Sequence, residues 1–359
     1  MLLSIASLSL ELLSMNSSEQ CDCDATLSWH RYIHATEVSQ TQLKKCISSL
    51  NILMTTVKST ADAAMSSRWS EWTSRLREVV RANMYQKCSE WSMYYPEASG
   101  TSQSPIDLNS NEAIYEQRLA DRPLKFLYST SRETEVLNNG YTLVVFPRYK
   151  QVDSGLRIES IGRSVLSGGP LPDDGEYELS EIRFHWGKEN DRGSEHLINH
   201  KAFPMEVQFV HWNTSKYSSI EEAVGSRNGI AIVTMFGQIG REHCGLRIVA
   251  DALEDVLYKG RQKTLSGPFN PSTFLPDPAL WDYWTYEGSL TTPPCSENVT
   301  WIVLRYPLMM SLPQMENFRR LCTFVKGDRP HPGDDGFMAD NFRPPQTLNG
   351  RIVSASFQS

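Results

Sequence analysis

The sequence predicts a mainly β domain with a few peripheral helices, preceded by a helical arm. Three observations carry this reading. From Cys88 onward, short runs rich in β-branched and aromatic residues alternate with Gly, Pro, Asn and Asp turn signals. Helical periodicity in that part is confined to a few short segments. Residues 1–87 differ: they are Ser/Thr-rich, and their apolar residues recur at threes and fours.

The arm comes first. Leu43, Cys46, Leu50, Leu53 and Val57 form one helical stripe, and Trp72, Leu76, Val79 or Val80, and Met84 form a second. These steps are too few for a coiled coil, so residues 1–87 are expected to be a partly helical or disordered extension. The opening segment MLLSIASLSLELLSMNSS is apolar but has no basic residue before its apolar stretch, and Glu11 interrupts it. A cleaved signal peptide is therefore not favoured. Residues 88–359 are expected to form one domain. Its strands are read at 141–146 (YTLVVF), 181–186 (EIRFHW), 205–212 (MEVQFVHW), 229–236 (GIAIVTMF) and 300–306 (TWIVLRY). Asn139-Gly140 and Gly168-Gly169-Pro170 mark turns. Helices are read at 219–224, 252–257 and 313–321.

Composition narrows the function classes. Of 359 residues, 40% are hydrophobic and 21% charged, ample for a large core. The net charge of -7, without a dense Lys/Arg run, argues against nucleic-acid binding. No apolar run reaches the roughly 18 residues that a membrane span needs. Seven cysteines are too few and too irregular for a disulfide scaffold. Cys21 and Cys23 lack a matching downstream pair, so they are read as thiols rather than zinc ligands.

The motifs of the second part are specific. SQSPIDL (102–108), FHWG (184–187), GSEH (193–196), EVQFVHWN (206–213), YWTYEGSLTTPP (283–294), VTWIVL (299–304) and NFRPPQ (341–346) follow one another in the order seen in α-carbonic anhydrases. Residues 88–359 therefore resemble that family from end to end. The resemblance implies a large, mostly antiparallel twisted central sheet with a conical cleft at its centre.

Active members of the family use zinc to bring the pKa of a bound water to about 7. Three neutral imidazoles hold the metal and leave a fourth position open. Two of them come as His-x-His on one strand, where period-two alternation points both to one face, and the third sits on the neighbouring strand. By resemblance the three positions here are Arg183, His185 and Gln208. A guanidinium is permanently charged and has only donors, so it repels a cation. A glutamine amide is a poor substitute for imidazole nitrogen. One ligand of three remains, and no cofactor, zinc included, is expected. His211 lies one residue out of phase and points to the other face.

A buried arginine calls for a partner. Glu181, two residues away, and Glu206, on the adjacent strand, are the candidates; the alternative is a side chain reaching into the solvated cleft without a fixed partner. The resemblance also implies that Glu206 would orient a ligand histidine, and that Thr291 and Glu195 match the pair orienting the zinc hydroxide in active members. Thr292 is present beside them. Tyr141 stands where many fast members carry a proton-shuttling histidine, and a phenol of pKa about 10 is poorly matched to that task. With the metal ligands lost, Thr291, Glu195 and His196 are read as structural hydrogen-bonding groups. No catalytic residue is expected.

Among acatalytic family members, SVLSGGPLP, GIAIVTMFGQIGREH and EGSLTTPPCSENVTWI resemble type VIII, as does arginine at position 183. Gln208 instead resembles types X and XI. The type VIII resemblance implies a cytoplasmic, monomeric protein that binds the modulatory region of the inositol 1,4,5-trisphosphate receptor and regulates calcium signalling. Types X and XI imply a secreted, adhesion-linked module. Secreted members join a cysteine near SQSP to one just after TTPP; Cys295 fills the second place, while Cys88 falls too early for the first. Of two glycosylation sequons, Asn298 is placed in a core strand and Asn213 is expected to be the more accessible.

Overall fold

The computed structural model describes residues 85–153, 158–330 and 333–358. The expected helical arm lies outside the described residues, apart from its last three, which open the 3-10 helix Tyr85–Glu90. A thirteen-stranded sheet dominates the rest. Ten of its strands lie on one continuous path: β1 (Ile114–Tyr115), β2 (Glu133–Asn138), β3 (Leu143–Arg148), β4 (Tyr177–Trp186), β5 (Met205–Asn213), β6 (Ile230–Ile239), β7 (Gln262–Thr264), β8 (Tyr283–Ser289), β9 (Glu297–Leu304) and β10 (Ser354–Ala355). Their spatial order is β7-β2-β3-β4-β5-β6-β9-β8-β10-β1. Most neighbours are antiparallel, and the β6–β9 and β10–β1 pairs are parallel.

The central strands are buried on both faces, which explains their near-continuous apolar runs. Val207 and Phe209 of β5 join Ile182, Phe184 and Trp186 of β4 in the larger core. Helices Cys244–Ala252 and Leu312–Arg319 contribute to the same core through Leu246, Val249, Met315 and Phe318. Ser311 caps the second helix in a reciprocal capping box with Gln314, and Pro313 sits in its first turn. On the opposite face Val210, Ile232, Phe236 and Trp301 form a second core.

Three expectations shift. The strand read from Tyr141 starts at Leu143, because the Asn139 side chain accepts hydrogen bonds from the backbone of Tyr141 and Thr142 (2.9 and 2.8 Å). Gly140 sits in that turn at φ +87°. The helix read at 252–257 is a 3-10 turn, Leu253–Val256, trailing the longer helix Cys244–Ala252. The signal for that longer helix was present: Leu246, Val249, Ala250 and Leu253 follow the i, i+3, i+4, i+7 pattern. The sequons also exchange places. Asn213 is 3% exposed and donates its amide to the Asn228 carbonyl, whereas Asn298 is exposed at φ +64°, beside the register shift between β8 and β9.

Candidate functional site

A bulge sets the phase of the site. On β4, Val210 pairs with Glu181 while His211 pairs with Leu179, so Ser180 is skipped. The extra residue re-aims the strand. Tyr177 and Leu179 face the larger core before it, and Ile182, Phe184 and Trp186 do so after it. Glu181, Arg183 and His185 therefore all project from the other face. Across the ladder Arg183 is opposite Gln208 and His185 is opposite Glu206. Cross-strand partners share a face, so five polar side chains are gathered on two strands.

Arg183 lies against Glu181. Its Nε donates to Glu181 Oε1 at 2.5 Å, and Nη2 forms an ion pair with the same oxygen. Nη1 donates to Thr292 Oγ1 at 3.2 Å. The two charged side chains are 21% and 13% exposed. The second carboxylate considered for Arg183, Glu206, is engaged elsewhere.

Gln208 is what occupies it. Its Nε2 donates to Glu195 Oε2 at 2.7 Å and to Glu206 Oε1 at 3.0 Å. Carboxylates only accept, so this contact requires the NH₂ end of the amide. Glu195, Glu206 and Gln208 are essentially inaccessible to solvent. Glu206 Oε1 also accepts from Thr234 Oγ1 (2.9 Å) and His196 Nδ1 (2.9 Å), and its Oε2 from the His196 backbone N–H (2.8 Å). Burial alone would raise the pKa of this carboxyl, but the His196 ring charge and hydrogen bonds outweigh it and hold the group down at about 2. The network continues from His196 Nε2 to the Tyr286 hydroxyl (2.7 Å) and on to Ser104 Oγ (2.8 Å).

His185 is fully buried. Its Nδ1 donates to the Asn341 carbonyl at 2.8 Å, and Nε2 lies 3.5 Å from Glu195 Oε2. The remaining oxygen of Glu195 accepts from the Arg343 backbone N–H at 2.9 Å. No hydrogen bond joins Glu195 to Thr291 among the described residues; Thr291 is buried, and of the Thr291-Thr292 pair it is the Thr292 hydroxyl that meets a site residue, Arg183. Tyr141 lies on the turn before β3, with Lys259 Nζ 5.2 Å from its ring centroid. Asn341, Arg343, Tyr286 and Thr234 were not singled out from the sequence. All four do belong to segments noted above: Asn341 and Arg343 to NFRPPQ, Tyr286 to YWTYEGSLTTPP and Thr234 to GIAIVTMFGQIGREH.

His211 takes no part. It is stacked on Tyr128 and lies 2.7 Å from that residue's hydroxyl, with Phe209 alongside. Burial pushes its pKa down to about 3.

The donor set around His185 does not suit a zinc ion. The Arg183 guanidinium brings a fixed positive charge, and the Gln208 nitrogen, which has no lone pair to offer, faces the two carboxylates. Among the described residues no group of three or more His, Cys, Asp or Glu side chains is arranged to hold a metal.

Comparison with known proteins agrees with this architecture. The family model described as "Eukaryotic-type carbonic anhydrase" matches residues 86–357. The chain is 53% identical over 274 residues to the human protein named "Carbonic anhydrase-related protein", covering 76% of this chain and 90% of the relative. The rat protein of that name is equally similar, with 53% identity over the same shares of both chains. Mouse "Carbonic anhydrase 7" is 45% identical over 272 residues, covering 76% of this chain and 94% of its own. With the sheet, the matched span and the identity to these relatives in agreement, the chain belongs to the eukaryotic-type carbonic anhydrase family.

Proposed function

We propose that this chain is a non-catalytic member of the family that acts by binding another protein. The observation that carries the reading is the pairing at the three ligand positions. Arg183 is neutralised by Glu181, Gln208 gives its amide N–H groups to Glu195 and Glu206, and His185 stands alone as an imidazole donor. A single imidazole nitrogen beside a guanidinium does not hold zinc, so no metal-activated water forms. The similarity to proteins named as carbonic anhydrase-related is in keeping with this.

The partner proposed, on the resemblance to type VIII, is the modulatory region of the inositol 1,4,5-trisphosphate receptor. The chain would then act in the cytoplasm, as a monomer, and lower the receptor's affinity for its ligand. Among the described residues no helix is long and apolar enough to cross a membrane. The secreted alternative rests on the types X and XI resemblance of Gln208 and is kept as the second reading; of its two sequons Asn213 is buried and Asn298 is exposed, its amide donating to the Gly225 carbonyl at 2.8 Å. The direct test is capture of the receptor's modulatory region by the full chain and by a form lacking residues 1–87. Binding by both forms places the interaction on the carbonic anhydrase-like domain. Failure of the full chain to bind, with the domain folded, rejects this partner.

A further inference from the structure

Two loops meet around a pair of lysines, each held over a tyrosine ring. Lys259 Nζ lies 5.2 Å from the Tyr141 ring centroid, and Lys326 Nζ lies 6.0 Å from that of Tyr258. Phe324 packs edge-on against Tyr258, with ring centroids 5.8 Å apart, and its carbonyl accepts from the Lys259 backbone N–H at 2.9 Å. Asn138, the fully buried last residue of β2, pins both loops. Its amide donates to the carbonyls of Val256 (3.1 Å) and Leu257 (3.0 Å) on one and of Cys322 (3.1 Å) on the other. Gly140 leaves room for the Lys259 stem: a Cβ there would stand 2.5 Å from the lysine Cδ.

The charge of this patch is unbalanced. Segments 258–263 and 324–329 hold five Lys or Arg residues and one acid, Asp328, on a chain of net charge -7. Lys263 is paired with Asp255 at 3.1 Å, and Arg320 with Glu254 at 3.4 Å. Among the described residues no ion pair engages Lys259, Arg261 or Lys326. Arg261 and Lys326 are exposed, Lys259 is half-buried, and Val325 is an apolar residue left 49% exposed beside Lys326. An ammonium over a ring face uses none of its N–H groups in a hydrogen bond, so both lysines keep donors for carboxylates. The ring contacts also hold the two side chains in place, which lowers the entropy lost on binding.

We propose that Lys259, Arg261, Lys326 and Val325 form an interaction surface for an acidic segment of a partner protein. Asp or Glu side chains meet the three cations, and one apolar side chain of the segment lies on Val325. The inference rests on the reading that the chain acts by binding another protein. Three unpaired cations fall short of the roughly four to eight of a polybasic membrane-binding cluster, and a nucleic-acid footprint asks for more still.

The test follows fluorescence anisotropy as the full folded chain is titrated into a fluorescein-labelled peptide of Asp and Glu with one central Leu. The Asn and Gln counterpart of that peptide is the neutral control. Only the acidic peptide is expected to bind, and more weakly as salt rises. Lys259→Glu with Lys326→Glu is expected to weaken binding about tenfold or more. Lys125→Glu with Lys201→Glu makes the same change in net charge at two exposed lysines elsewhere, and is expected to leave binding within about twofold. Urea unfolding confirms that each variant is folded. The proposal is overturned if the second pair weakens binding as much as the first, or if the neutral peptide binds equally. It is also overturned if the chain binds vesicles of phosphatidylcholine and phosphatidylserine but not the peptide. Capture of the receptor's modulatory region separates this surface from the partner reading. Capture that persists undiminished with Lys259→Glu and Lys326→Glu overturns the surface and leaves the partner standing. Absence of capture by the unaltered chain rejects that partner, and the peptide titration then decides the surface by itself.

Discussion

Arg183 and Gln208 are register partners on adjacent strands, yet their side chains turn apart. Arg183 turns to Glu181 and Thr292, while Gln208 turns to Glu195 and Glu206. Each partner set satisfies a group that would otherwise be left buried without a partner. The positive charge of the guanidinium is matched locally, and the two buried carboxylates share one amide.

That sharing makes Gln208 a structural tie. Gln208→Leu removes the donor and leaves Glu195 and Glu206 with one fewer hydrogen bond each in a site closed to water. The expected loss is about 2–4 kcal/mol of unfolding free energy, the range for stripping partners from buried charged groups. Urea unfolding of the variant measures it. A loss below about 0.5 kcal/mol, typical of an unremarkable surface change, contradicts the role.

Arg183→Met tests the other half. Glu181 would keep its charge and lose its partner, but the pair is partly solvated. The expected cost is therefore smaller, about 1–2 kcal/mol, and partly screened by salt. Paired unfolding curves at low and high ionic strength check both the size and the salt dependence.

Two buried groups fix the direction of the pH dependence. The Glu206 pKa is depressed to about 2 in the fold, so its stabilisation is complete above the unfolded value near 4.3 and is lost as pH falls toward 2. The His211 pKa is depressed to about 3, so its contribution is complete above about 6.5 and falls as pH drops from there to 3. In both cases the unfolded chain binds more protons, and stability falls with acidification. His211→Phe is expected to remove up to about 1.4 kcal/mol per pH unit of slope between pH 6 and 4, as one titrating group allows. An unchanged slope shows that other groups govern acid unfolding.

Arg183→His with Gln208→His restores three imidazoles on the two strands. The double variant is expected to bind about one zinc per chain and to gain measurable CO₂ hydration. If it remains metal-free, the local account of the ligand positions is incomplete.

The sequence carried much of this arrangement, but unevenly. Alternation puts Arg183 and His185 on one face of their strand and Glu206 and Gln208 on one face of theirs, because period two is a property of the strand itself; that the two faces coincide was implied by the family resemblance and is shown by the register. Which carboxylate meets Arg183 was not legible. Glu181 and Glu206 were both in reach, and the outcome turned on Gln208 and His196 drawing Glu206 away. The supports from Asn341 and Arg343 depend on backbone groups of a segment that returns from the far end of the chain. No local pattern encodes such contacts, although NFRPPQ marked the segment. The helix Cys244–Ala252 was missed for a different reason: its apolar spacing was present but short, and His243 is an unusual cap.

The central claim is that these ligand positions cannot hold zinc. Metal analysis of the purified full chain, after equilibration with zinc and run beside a CO₂ hydration assay, tests it most directly. The account predicts zinc far below one equivalent and hydration at the uncatalysed rate. Stoichiometric zinc with catalysed hydration would contradict it.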